Sequence, residues 1–242
     1  MSASEPLDIK NYIGLTGDTP IRFIASDVDG TLVNDAKSVD PEVVNAVRAA
    51  RESGIRVAIA SGRAWHEMDD VIDAMPCLRY FVCTNGAYVM DKEEQKELVH
   101  ISFDKTRAMD LVRKLMTYGV FVEAYVKAEI FGQYPVVGNE TAQAEHFFRP
   151  NIRPFILKTR TMVPDLLAHL ESLLKGPEKI QIFYGDECIR ERILADLRDE
   201  LQGDATDGKG RERFYDVLES SEGNLEFVLP HTTKGTAVEA LA

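Results

Sequence analysis

Two carboxylates, Asp27 and Asp29, stand one residue apart in "RFIASDVDGTLVND" (residues 22–35), directly after a short apolar run. Charge at the end of a core strand is costly unless something there needs it. On extended chain the two side chains diverge, so a shared target requires a turn, which Gly30 permits. A hard cation explains why two carboxylates tolerate each other. Alone, Asp-x-Asp reads as solvated loop acids or a helix cap. With Gly30 and Thr31 the pattern has a chance frequency on the order of 10⁻⁵ per position, so we assign the pair to chemistry. A second group lies in "AIASGR" (58–63), where the Ser61 hydroxyl and backbone N–H groups near Gly62 open a helix and can hold an anion. The same serine can serve as the helix N-cap. Lys234, in "PHTTKGTAVEAL" (230–241), is the third candidate; a lone lysine before a helix is ordinarily a surface residue.

The elements that must position these groups follow from periodicity. "IRFIAS" (21–26), "IRVAIAS" (55–61) and "RYFVCT" (79–84) are continuous apolar runs, as in strands covered on both faces of a parallel sheet. A helix between the first two begins at Asp40 and Pro41, carries Val43, Val47 and Ala50 on one face, and closes at Gly54. A second, in "AWHEMDDVIDAM", places Trp65, Met68 and Ile72 together. Strand-helix-strand-helix-strand implies two right-handed crossovers. The predicted fold class is α/β, with a doubly wound parallel-sheet (Rossmann-like) core that takes ligands beyond the carboxyl ends of its strands. Asp27, Asp29 and Ser61 fall there.

At Asn85-Gly86, a hairpin signal, the pattern changes, with "AYVM" and "LVHIS" as expected partners. Helices are expected over about 104–118, 163–175 and 187–201, a hairpin in "VFVEAYVKAEIFGQY", and strands in "KIQIFY", "RFYDVLES" and "NLEFVLP". Hairpins mixed with helices make this an α+β insertion. The predicted organisation is a loose leader over 1–19, a core of 20–86 with 230–242, and an inserted domain over 87–229.

Lys plus Arg is 28 against 40 Asp plus Glu, a formal net charge of −12. That field repels nucleic acid and anionic membranes, which excludes both as partners, and a phosphate ligand needs a local positive patch or a metal. Cys77, Cys83 and Cys188 show no paired spacing and read as small core residues of a reducing compartment. Residues 1–20 contain no secretory apolar region and no run reaches membrane-spanning length, so a cytoplasmic location is expected. His66 and His231 receive no role.

"DVDGTL" (27–32) resembles the first motif of the haloacid-dehalogenase-like superfamily of aspartate-nucleophile phosphatases. The resemblance implies that Asp27 is the nucleophile, forming an aspartyl-phosphate, that Asp29 is the general acid/base, and that both help hold Mg²⁺. "AIASGR" resembles the second motif, in which Ser61 donates to a phosphoryl oxygen beside Gly62. "PHTTKGTAVEAL" resembles the third, in which Lys234 pairs with Asp27 and the transferred phosphoryl group. "CTNGA" and the long insertion are similar to the Cof-type, or type IIB, branch, whose α+β cap sits over the site. By that likeness Arg63, Asn85 and Gly86 join Gly62 in binding substrate. Arg63 can equally pair with a surface acid, and Asn85 can equally be a plain turn residue.

The resemblance runs from about residue 21 onward and implies hydrolysis of a small phosphorylated metabolite, a sugar phosphate or similar. A phosphosugar mutase and a phospho-ligand-binding module are the alternatives. One element departs from the pattern. The superfamily's acidic fourth motif follows the Lys-bearing helix, and no such cluster follows Lys234. "YGDECIRE" (184–191) precedes it, with Asp186 as a helix N-cap, and "QGDATDG" (202–208) reads as a loop. The expectation is a fragment, a gap filled by another subunit, or lost catalysis, with the first strand left as an apolar edge.

Overall fold

Three strands form from the three apolar runs: β1 (Phe23–Ser26), β2 (Arg56–Ala60) and β3 (Tyr80–Cys83), paired in parallel in that order. The computed structural model describes residues 20–34, 38–127, 129–198 and 213–242; the expected leader (1–19) and the loop at 202–208 lie outside them. Helix α1 (Pro41–Glu52) links β1 to β2, and a 3-10 turn at Trp65–Met68 followed by α2 (Asp69–Ala74) links β2 to β3. Met68, Val71 and Met75 pack with Ile59, Leu78 and Phe81 beneath the sheet, and Trp65 meets Phe81 edge-on. Each large apolar side chain so buried contributes about 1.5–3 kcal/mol.

Two expectations are corrected. The turn at 84–87 does not leave the core sheet; it reverses the chain onto β3, so β4 (Tyr88–Asp91) pairs antiparallel with it and β5 (Lys96–His100) pairs with β4. The core sheet therefore runs to His100, and the predicted boundary after Gly86 is not the division between sheets. A tight turn can only return the chain beside the strand it has left. Nor is the first apolar run buried on both faces. Among the described residues β1 pairs only with β2, Ile24 is 38% exposed, and α1 carries no fully buried residue.

The insertion is α+β, as its mixed pattern implies. Its strands β6 (Phe121–Val126), β7 (Glu129–Gln133), β8 (Thr161–Met162), β9 (Lys179–Phe183), β10 (Asp216–Leu218) and β11 (Asn224–Val228) form one sheet in the order β10-β11-β9-β6-β7-β8. Helices α3 (Lys105–Met116), α6 (Leu166–Ser172) and α7 (Glu187–Asp196) cover one face, where Leu111, Leu115 and Leu170 meet Ile180, Ile182 and Phe227. Two helices were not anticipated: α4 (Glu140–Phe147), eight residues long with only Ala144 and Phe147 buried, and α5 (Arg153–Thr159), short and with Pro154 in its first turn. The chain then returns to the core as α8 (Lys234–Leu241), packing Ala237, Val238 and Leu241 on Ala60, Val82 and Val89.

Candidate active site

The chain leaves β1 into a tight turn. The Val28 carbonyl accepts N–H bonds from Thr31, Leu32 and Val33, and Gly30 supplies a φ of +73°. The turn expected of Gly30 is therefore formed. Asp27 Oδ1 accepts from the Val28 N–H at 2.8 Å and from Lys234 Nζ at 3.0 Å. Its other oxygen has no protein partner among the described residues, and the side chain is 44% exposed. Lys234 is delivered by the start of α8, where Thr233 and Thr236 cap each other's backbone N–H groups.

Ser61 is buried at the end of β2, and its Oγ accepts the Arg63 N–H at 3.2 Å. The next loop locks onto this one: Thr84 N–H donates to the Arg63 carbonyl and Asn85 N–H to the Ser61 carbonyl. Thr84, Asn85 and Gly86 all take positive φ, at +49°, +55° and +103°. A β-branched residue there is a backbone outlier, sustained by the two loop-to-loop bonds. Gly86 lies against the Thr233 carbonyl so closely that a Cβ would fall 2.3 Å from its oxygen, which couples this turn to the helix that carries Lys234.

Arg63 forks onto Asp29, Nε to Oδ2 and Nη2 to Oδ1, both at 2.9 Å, while Nη1 reaches Asp70 and the Glu67 carbonyl. Its Cζ lies 5.3 Å from the Phe155 ring centroid. Burial opposes its charge, but the bonds and attraction from Asp29 and Asp70 outweigh burial and hold the guanidinium above its ordinary value. Asn85 donates to Glu226 Oε2 at 3.0 Å, and its Oδ1 closes over Gly62. In this structure Arg63 and Asn85 are thus bonded to protein carboxylates. Asp186 caps α7 by accepting the Cys188 N–H, as the sequence suggests.

All eight candidates fall in one neighbourhood: Asp27 with Lys234, Asp29 with Arg63, and Ser61, Gly62, Asn85 and Gly86 in the two interlocked loops. Sequence reasoning missed Glu67, Asp70, Lys179 and Glu226, which hold those loops in place. No group of three or more His, Cys, Asp or Glu side chains is arranged for a metal among the described residues. The donors nonetheless suit Mg²⁺, a hard cation that takes one or two carboxylates and completes its shell with water and substrate phosphate; Asp27 and Asp29 would supply the carboxylates. Among the same residues no helix is long and apolar enough to cross a membrane.

Residues 24–242 match the haloacid dehalogenase-like hydrolase family along their whole length. The chain belongs to that family. It is 30% identical to the phosphatase YwpJ of Bacillus subtilis over 92% of this chain and 78% of the relative. Its fold is similar to that of a haloacid dehalogenase-like hydrolase from B. subtilis (TM-score 0.70, 22% identity, 92% of this chain and 78% of that one). It also resembles a subclass IIB sugar phosphatase of the superfamily (TM-score 0.66, 14% identity, 91% and 74%). The family expected from the motifs, the α/β core and the enzyme class, a phosphatase, are all borne out.

Proposed function

We propose that this phosphatase hydrolyses a small phosphorylated metabolite through an aspartyl-phosphate on Asp27. The observation that carries the reading is the Asp27 oxygen that has no protein partner among the described residues, set beside an oxygen that Lys234 already binds. The Asp27 oxygen attacks phosphorus, the ester P–O bond breaks, and Asp29 gives the leaving oxygen its proton. Water then attacks phosphorus while Asp29 takes its proton, and the Asp27 carboxylate is released with inorganic phosphate. The Ser61 hydroxyl, whose oxygen accepts the Arg63 N–H, keeps its own proton for a phosphoryl oxygen. Mg²⁺, held by Asp27 and Asp29, would neutralise the charge that otherwise keeps carboxylate and phosphate apart.

Both oxygens of Asp29 accept from Arg63, so proton delivery requires the fork to release one of them. Asp70, already bonded to the same guanidinium, holds Arg63 nearby when it does. Next to the Asp70 side chain that Arg63 binds, a cavity of about 300 Å³ between core and insertion is lined by His66, Glu67, Asp70, Phe155 and Lys158. That volume suits a small molecule. Binding without turnover is the second reading, favoured by the occupied Asp29.

The test is phosphate release from an aryl phosphate by wild type with Mg²⁺, wild type with chelator, and Asp27→Asn with Mg²⁺. Release that needs both metal and Asp27 is the expected result. Thermal stabilisation by phosphate without any release would replace hydrolysis with the binding reading.

A further inference from the structure

The inner face of the inserted sheet carries charge where water does not reach. Lys179 on β9 is 2% exposed and Glu226 on β11 is 6% exposed. A buried ion pair adds little net stability, because desolvation offsets much of the attraction, so what the pair touches matters more than its own attraction. Neither side chain is confined to its own domain. Lys179 Nζ crosses to the core and donates to the Gly62 carbonyl at 3.0 Å, lies 3.5 Å from Glu226, and sits 3.9 Å from the Tyr125 ring centroid. Glu226 accepts from Ser220 Oγ at 2.6 Å and from Asn85 Nδ2 at 3.0 Å. Burial works against its charge, but Lys179, Ser220 and Asn85 prevail and hold its carboxyl below the ordinary value.

One of these bonds ends on the Gly62 peptide and the other on the Asn85 side-chain amide, in the two loops around Ser61. In a trans peptide the carbonyl and the following N–H point in opposite directions. Lys179, by drawing the Gly62 carbonyl toward the insertion, turns the Arg63 N–H the other way, onto Ser61 Oγ. Glu226 fixes Asn85, whose Oδ1 lies only 2.7 Å from where a Cβ on Gly62 would stand, so the amide clamps the same peptide from above. We infer that Lys179 and Glu226 are positioning residues. Acting from the insertion through Gly62 and Asn85, they set the loop at 61–63 in the geometry that receives the transferred phosphoryl group. The inference rests on the phosphatase reading above.

Lys179→Met alone leaves Glu226 charged and unpaired, so it unfolds readily and tests little. The informative variant is Lys179→Met/Glu226→Gln, which removes both charges and keeps both volumes. Its melting temperature should recover most of what the single variant loses. Its kcat/KM for an aryl phosphate should stay down roughly tenfold to hundredfold, the scale of partners one bond removed from a reacting centre. Inhibition by orthovanadate, which adopts the five-coordinate geometry of phosphoryl transfer, should weaken in the same proportion. A double variant that is folded and matches wild type in both measurements would overturn the inference. So would a loss of kcat/KM with vanadate inhibition unchanged, because the loss would then lie outside transition-state geometry. Absence of Asp27-dependent release in wild type is a separate outcome that removes the phosphatase reading itself, and the inference with it.

Discussion

Gly86→Ala tests whether the turn at 84–86 sets the position of Lys234. A Cβ there would lie 2.3 Å from the Thr233 oxygen and 2.7 Å from its carbon, whereas ordinary contact begins at 3.4 Å. The difference, 3.4 less 2.3, requires an opening of about 1 Å. Both atoms are backbone and neither can rotate away, so the start of α8 must shift. An L residue at this φ costs roughly 1–2 kcal/mol, and overpacking adds about 1–3 kcal/mol. The sum, about 2–5 kcal/mol, lowers the melting temperature by roughly 5–15 °C for a chain of this size. Displacing Lys234 from Asp27 by such a distance should reduce kcat/KM about a hundredfold. Gly62→Ala is the comparison: its Cβ meets the Asn85 Oδ1 at 2.7 Å, a side-chain atom that can swing aside. It should melt closer to wild type. The two measurements are a thermal melt and phosphate release, and a Gly86→Ala protein equal to wild type in both would refute the coupling.

Three further outcomes follow from buried or edge groups. Arg160, almost fully buried, bridges Glu67 of the core and Glu123 of the insertion; Arg160→Met should cost about 3–5 kcal/mol by urea unfolding, and a loss below about 1 kcal/mol would contradict the network. Glu226 has its carboxyl held below the ordinary 4.5, so its contribution is complete above that pH and is lost as pH falls through the lower folded value. The melting-temperature gap between wild type and Glu226→Gln should therefore narrow on acidification below about pH 4.5, and a constant gap would contradict the assignment. Ile24→Lys, on β1, which pairs only with β2 among the described residues, should leave the melting temperature close to that of wild type, and a large drop would contradict the exposure of this side chain.

Much of the core was legible because its signals are local. The apolar runs, Gly30 after Asp29 and the helix start at Lys234 each name their own element and place their own side chain. The turn at Asn85-Gly86 was legible as a turn but not as to which strands it joins, since β4 gains β3 on one side and β5 on the other. Arg63 shows a different limit. Its place beside Ser61 was evident, but its fork onto Asp29 spans 34 residues and depends on where the first turn points, which no local pattern records.

The residues missed in the insertion share one cause. β9 reads Lys-Ile-Gln-Ile-Phe, β11 Asn-Leu-Glu-Phe-Val, and β6 carries Glu123 and Tyr125 between apolar neighbours. Such alternation ordinarily marks a strand with one face in solvent. Here the apolar members do meet helices α3, α6 and α7, but the polar members are buried too. Register lines them up across strands, Glu226 and Glu123 flanking Gln181, with Tyr125 beside Lys179. That row closes onto Gly62, Asn85 and, through Arg160, Glu67. A polar row on a sheet is solvated unless a second surface of matching donors and acceptors covers it. The loops at 61–67 and 84–86 are that surface, which explains how charges that look solvent-facing in sequence come to hold the loops that carry Ser61 and Asn85.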